Sequence, residues 1–167
     1  LLTEDEPDDP CEVGDFVGVE RMHDFTILMA EDDPDDRFLM EQALGEVVTS
    51  PDLRFVEDGE ELMHYLRRSG RYIDPSFSPR PALVFLDLNM PKKDGRQALI
   101  EIKADPDLQT IPVVIWTTSD EREDKINCEK AGADVFVTKP VSFTELSNSV
   151  KTLVTRYSSQ GTAASVL

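Results

Sequence analysis

The sequence predicts an open α/β fold, a parallel sheet with helices on both faces, and three observations carry that expectation. Strand-like and helix-like patterns alternate five times between residues 25 and 157. One strand, Ala82-Leu83-Val84-Phe85-Leu86, is apolar at every position, the mark of a strand buried on both faces. Polar groups also stand directly after apolar runs: Glu31-Asp32-Asp33 after residues 25–30, Asp87 after Leu86, and Thr117-Thr118-Ser119 after residues 113–116. Ligands of parallel sheets gather beyond the carboxyl ends of the strands, so function is expected there.

The first strand, residues 25–30, feeds a helix that opens on Asp33 as N-cap, with Pro34 at the first helical position, where a missing N–H costs nothing. Phe38, Leu39, Ala43 and Val47 are expected on its buried face. A short strand at residues 53–56 precedes a helix carrying Leu62, Met63 and Leu66. Residues 71–81, with their prolines and serines, then read as a loop that is long for a compact α/β unit. The strand ending at Asp87 continues through the turn Leu88-Asn89-Met90-Pro91-Lys92-Lys93-Asp94-Gly95 into a helix with Ala98, Leu99 and Ile102. Residues 112–117 form the fourth strand, and its helix lies between Asp120 and Ala131, stopped by Gly132. The last strand, residues 134–137, runs into Thr138-Lys139-Pro140. Ser142 and Glu145 make a capping box for a final helix striped by Phe143, Leu146, Val150, Leu153, Val154 and Tyr157.

Residues 1–22 form an acidic extension expected to be flexible, residues 23–157 the folded domain, and residues 158–167, small and polar, a flexible tail. The chain of 167 residues is 40% hydrophobic and 31% charged, which suits one soluble domain with a full core. A net charge of -17 opposes direct binding to nucleic acid or to an anionic membrane surface. Nothing approaches a membrane span or a signal peptide. Cys11 and Cys128 offer neither a disulfide framework nor a zinc site, and a reducing cytoplasm fits them best. The residues after Tyr157 are too few to fold alone, so a signal is expected to leave through a protein contact.

A carboxylate that attacks a phosphoryl group needs a hard cation, a counter-charge and positioned donors, because the transferring phosphoryl spreads negative charge over three oxygens. Glu31, Asp32 and Asp87 would crowd three carboxylates that repel unless a cation binds among them, and oxygen-only ligands point to Mg²⁺ or Mn²⁺. Lys139 could supply the counter-charge and Thr117 a hydroxyl donor. Singly, each has a plainer explanation: acidic pairs cap helices, an Asp after a strand serves a turn, a Thr is structural, and Lys-Pro is a common surface dipeptide. Their order and spacing together are specific. Asp120, Glu121, Glu123 and Asp124, at the start of the fourth helix, read as a solvated face that complements the helix dipole, with partner docking as the alternative.

Glu31-Asp32 after the first strand, Leu86-Asp87-Leu88-Asn89-Met90-Pro91 with Asp94-Gly95, Ile111-Pro112 through Thr117, and Lys139-Pro140 together resemble the receiver domain of bacterial response regulators. The resemblance covers residues 25–157 and implies a flavodoxin-like (βα)5 fold, a doubly wound five-stranded sheet in the order 2-1-3-4-5. It implies that Asp87 accepts a phosphoryl group from a histidine kinase, with Asp32, Asp87 and the Asn89 backbone carbonyl holding Mg²⁺ and Glu31 acting through metal-bound water. It implies that Thr117 and Phe136 form a switch whose output surface is the fourth helix, fifth strand and fifth helix. Phe136 is equally well explained as a core aromatic of the last strand. The Lys139-Pro140 bond is implied to be cis. Leu86-Asp87-Leu88-Asn89-Met90-Pro91-Lys92-Lys93-Asp94-Gly95, the long loop with Tyr72 and Arg80-Pro81, and Trp116-Thr117-Thr118-Ser119 look like single-domain regulators paired with phytochrome-type histidine kinases. Such relatives often form homodimers through the fourth-helix to fifth-helix face, and the further partner would be a downstream target or a phosphotransfer protein.

Two other readings compete. A phosphohydrolase of the haloacid dehalogenase type also uses an aspartyl phosphate but needs a second Asp two residues after the nucleophile, where this chain has Asn89, which cannot exchange a proton. A receiver-like interaction module that is never phosphorylated is opposed by the full set of Asp32, Asp87, Thr117 and Lys139. A dinucleotide-binding domain is weaker still, because no Gly-x-Gly-x-x-Gly follows the first strand.

Overall fold

The computed structural model describes residues 25–47 and 52–161. The expected acidic extension at residues 1–22 and the last residues of the expected tail, 162–167, lie outside the described residues. The order of elements is β1 (Thr26–Ala30), α1 (Pro34–Val47), β2 (Asp52–Val56), α2 (Gly59–Leu66), a 3-10 turn (Gly70–Tyr72), β3 (Leu83–Leu86), α3 (Gly95–Ala104), β4 (Val113–Thr117), α4 (Arg122–Ala131), β5 (Val135–Thr138) and α5 (Phe143–Gly161). All strands are parallel, in the order β2-β1-β3-β4-β5. No helix among the described residues is long and apolar enough to cross a membrane.

Alternation along the buried strands builds two apolar layers, one on each face of the sheet. Ile27 and Met29 of β1, Phe85 of β3 and Val114 and Trp116 of β4 join Met40, Ala43 and Leu44 of α1 and Leu146, Val150, Leu153 and Val154 of α5. Leu28 and Ala30, Val84 and Leu86, and Val113 and Ile115 turn the other way, toward Leu62 and Met63 of α2, Ala98, Leu99 and Ile102 of α3 and Cys128 of α4. The edge strands β2 and β5 are only half-buried over most of their length. Adjacent polar groups at the carboxyl ends of the inner strands are therefore brought to one rim.

Caps fix where the helices start. Asp33 Oδ1 accepts from Asp35 N at 2.8 Å, Asp58 caps α2 through Glu61 N, and Asp94 caps α3 through Gln97 N. Ser142 Oγ accepts from Glu145 N at 3.3 Å. Gly132 closes α4 at φ 99°, a left-handed conformation that suits glycine.

Two expectations need correction. The buried face of α1 is Met40, Ala43 and Leu44, while Phe38 is 58% exposed and Leu39 is also exposed. Phe38-Leu39-Met40 is a run of three apolar residues, so periodicity leaves the phase open, and packing of α1 against α5 selects Met40. The last helix also continues past Tyr157 to Gly161, where a tail was expected. The Ser158 and Ser159 hydroxyls donate back to the Thr155 carbonyl, so these small polar side chains find their partner within the helix. The long loop before β3 is packed onto α2. Tyr65 donates to the Pro79 carbonyl at 3.0 Å, Ser78 is buried and donates to Tyr72 O, and the Tyr65 and Tyr72 rings lie 5.0 Å apart.

Candidate functional site

The site is built on backbone that has little freedom. Asp87 N–H donates to Ala30 O and Glu31 N–H to Val56 O, continuing the ladder just beyond the strands. Gly95 opens α3 directly against this segment: its N–H donates to Leu88 O, and a Cβ at Gly95 would overlap the Asp87 carbonyl oxygen. The turn between them places Lys92 at φ 59°, a conformation strained for a residue with a Cβ, and Lys92 Nζ is tied to the buried Asp58 at 2.6 Å.

Three carboxylates meet at this rim. Single oxygens of Glu31, Asp32 and Asp87 lie within 4.8 Å of one another, with Glu31 and Asp87 buried and Asp32 exposed. Lys139 enters from the end of β5. Its ammonium donates to Glu31 Oε2 and to Asp36 Oδ2, both at 2.6 Å, and stands 3.9 Å from Asp87 Oδ1. Asp87 Oδ1 is buried and has no hydrogen-bond partner among the described residues. Burial pushes the Glu31 carboxyl up, against the opposing pull of Lys139 and of the Asp33 N–H. Burial by itself would lower the Lys139 ammonium, but its bonds to Asp36 and Glu31 and the charges of Glu31 and Asp87 outweigh it and hold it above the usual lysine range. An all-oxygen set containing a buried carboxylate oxygen without a partner fits a hard divalent cation, which would relieve the mutual repulsion.

The remaining expected residues fall around this centre. Thr117 is fully buried at the end of β4, and its Oγ1 accepts from Ser119 N at 3.2 Å. Asn89 is exposed in the turn after β3. Phe136, half-buried on β5, pairs with Ile115 and packs against the layer of α2, α3 and α4. The Lys139–Pro140 bond is trans, as is every described peptide bond, and this corrects the cis bond that the resemblance implies. An X–Pro bond has only a small preference between its two forms, and with the bond trans the Lys139 N–H donates to Thr117 O at 2.7 Å and the ammonium reaches the carboxylates.

Two features escaped the sequence reading. Asp36 is a direct partner of Lys139, although in sequence it is one more acid in the first turn of a helix. Asp124, expected on a solvated face, is turned inward and buried, held by Arg96 of α3 and by Ser119 Oγ. An Arg near the start of one helix and an Asp in the first turn of the next were the available signal, but their pairing depends on how α3 and α4 pack.

Comparison with known proteins agrees with this geometry. Residues 27–151 match the model of the response regulator receiver domain. The chain is 40% identical over 120 residues to the response regulator Rcp1 of Synechocystis sp., an alignment spanning 72% of this chain and 80% of that protein. The crystal structure of a phosphorylated cyanobacterial phytochrome response regulator, RcpA, superimposes with a TM-score of 0.75 at 37% identity, covering 81% of this chain and 95% of that one. The Mn²⁺-bound form of Rcp1 gives a TM-score of 0.71 at 37% identity, covering 78% and 92%. With its sheet order, its carboxylate triad and these matches, the chain belongs to the response regulator receiver domain family and is a response regulator of two-component signalling.

Proposed function

We propose that Asp87 is the phosphoacceptor. Its carboxylate oxygen attacks the phosphorus of a phosphohistidine on a histidine kinase, the P–N bond breaks, and the imidazole leaves. The observation that carries this reading is the buried Asp87 Oδ1, which lacks a hydrogen-bond partner among the described residues and faces the Lys139 ammonium at 3.9 Å. A buried carboxylate oxygen left bare costs stability, which accords with a group kept for reaction rather than for structure.

Asp32, Asp87 and the Asn89 carbonyl would hold Mg²⁺, with Glu31 at its edge. That ion supplies charge neutralisation for the transferring phosphoryl. Lys139 provides the second positive charge, and the Thr117 hydroxyl turns from Ser119 N–H toward the phosphoryl oxygens. Phe136 follows inward, so the added negative charge alters the surface of α4, β5 and α5 and its contacts with a downstream or phosphotransfer protein. In this role the chain assists only its own phosphorylation and dephosphorylation. Asn89, unable to exchange a proton, disfavours steady hydrolysis of a donor. The likeness to RcpA and Rcp1 supports a phytochrome-type kinase as the donor.

Intact-mass measurement after incubation with acetyl phosphate, with and without Mg²⁺, tests this on the chain and on Asp87→Asn. The expected result is a Mg²⁺-dependent gain of one phosphoryl group that Asp87→Asn lacks. No gain, while a control receiver is labelled, would make the chain a phosphorylation-independent module; donor consumption without accumulation would make it a hydrolase.

A further inference from the structure

The Lys139 ammonium has three donors, and two of them are directed to carboxylates other than Asp87. Glu31 Oε2 and Asp36 Oδ2 each accept at 2.6 Å, whereas Asp87 Oδ1, at 3.9 Å, is beyond hydrogen-bond reach and has no other partner among the described residues. Glu31 belongs to the carboxylate triad; Asp36 does not. Asp36 sits in the first turn of α1, one turn past the triad's own residues, with a side chain 30% exposed. Its charge therefore serves the lysine rather than the cation.

We propose that Asp36 is a positioning residue that holds the Lys139 ammonium off Asp87, and so competes with the incoming phosphoryl oxygens for it. This rests on the reading of Asp87 as phosphoacceptor. With Asp36 ionised, the ammonium is withdrawn from the triad, which leaves more negative potential for a divalent cation. The same withdrawal opposes an arriving phosphoryl group, whose oxygens draw the ammonium away from Asp36 even though its third donor is free among the described residues. Asp36 also presents a negative charge to an anionic donor.

Replacing Asp36 by Asn removes the charge with little change in volume, and the two consequences have opposite signs. The freed ammonium moves toward Asp87, so Mg²⁺ binds roughly three- to tenfold more weakly, while the labelling rate at saturating Mg²⁺ rises by a similar factor. Damage to the fold would lower both. Asp35 is the control: it lies on the same turn, is exposed, and makes no contact with Lys139.

The experiment measures the Mg²⁺ dissociation constant by calorimetry and the acetyl phosphate labelling rate by intact mass, on the wild-type chain, Asp36→Asn, Asp36→Glu and Asp35→Asn. The expected result is weaker Mg²⁺ binding with faster labelling in Asp36→Asn, recovery of Mg²⁺ affinity in Asp36→Glu, and wild-type values in Asp35→Asn. Equal effects of Asp36→Asn and Asp35→Asn, no effect of either, or a fall in both Mg²⁺ affinity and labelling rate for Asp36→Asn, would overturn the proposal. A wild-type chain that binds Mg²⁺ but takes no phosphoryl group would instead overturn the acceptor reading beneath it.

Discussion

Arg96 of α3 and Asp124 of α4 meet in a two-pronged ion pair, Nε to Oδ1 at 2.7 Å and Nη2 to Oδ2 at 2.6 Å. Ser119 Oγ donates to the same carboxylate at 2.7 Å, and Ser119 N–H donates to Thr117 Oγ1. A continuous set of polar contacts thus runs from the end of β4 through the loop before α4 to α3.

Removing the guanidinium should expose how much that pair contributes. The bonds from Arg96 hold the Asp124 carboxyl below the usual carboxylate range, against burial, with Ser119 adding to the same direction. Arg96→Met is expected to cost about 1 to 2 kcal/mol at neutral pH, since the guanidinium is partly exposed and screened. Because the folded-state pKa is the lower one, the contribution is full above the ordinary aspartate range and is lost as the pH falls through the folded value. Urea titrations of both chains at neutral pH and near pH 2 should show the stability gap closing in acid.

Asp87→Ala is expected to stabilise the metal-free chain, by about 1 to 3 kcal/mol, because it removes a buried carboxylate oxygen that has no partner. Urea unfolding in EDTA measures this gain. Millimolar Mg²⁺ should narrow the gap by binding the folded wild-type chain.

Gly95→Ala places a methyl group on the Asp87 carbonyl oxygen, where the neighbour is backbone and has little room to move. The expected cost is about 3 kcal/mol, at the upper end for overpacking, together with slower labelling by acetyl phosphate. Thermal unfolding reports the first effect and intact mass the second. A variant as stable and as reactive as the wild type would mean that α3 does not lock the Asp87 backbone.

Tyr65 offers a test in alkali. Burial raises its phenol to about 12, and its hydroxyl donates to Pro79 O. The folded-state pKa is the higher one, so the contribution is present below the ordinary tyrosine value, about 10, and is lost as the pH rises from there toward the folded value. Tyr65→Phe should remove that slope from the alkaline stability profile. It should also delete the latest step in the ultraviolet tyrosinate titration.

Strand positions, caps and the polar groups at the strand ends were legible because each rests on local rules, whereas the strand order came from the resemblance. A fully apolar run marks an inner strand, and Asp33-Pro34 or Gly132 marks a helix boundary, whatever the rest of the chain does. Met40 replaced Phe38 on the inner face of α1 because three consecutive apolar residues carry no phase of their own. Asp36 and Asp124 were unreadable for a related reason. An acid in the first turn of a helix is already explained by the dipole, so nothing local announces that a lysine 103 residues away, or an arginine 28 residues away, will claim it.

The Asp87 main chain is fastened on both sides, its N–H by β1 and its carbonyl by the bare face of Gly95. In the role proposed above, Asp87 thus behaves as an anvil. Whatever adjustment an arriving phosphoryl group demands falls to side chains reaching in from elsewhere: the long arm of Lys139, the exposed Asp32, the hydroxyl of Thr117. Those arms hang from the ends of β5, β1 and β4. In that proposed role, a nucleophile on fixed backbone would turn a change at one atom into displacements at three separate strand ends, two of which lead into α1 and α4.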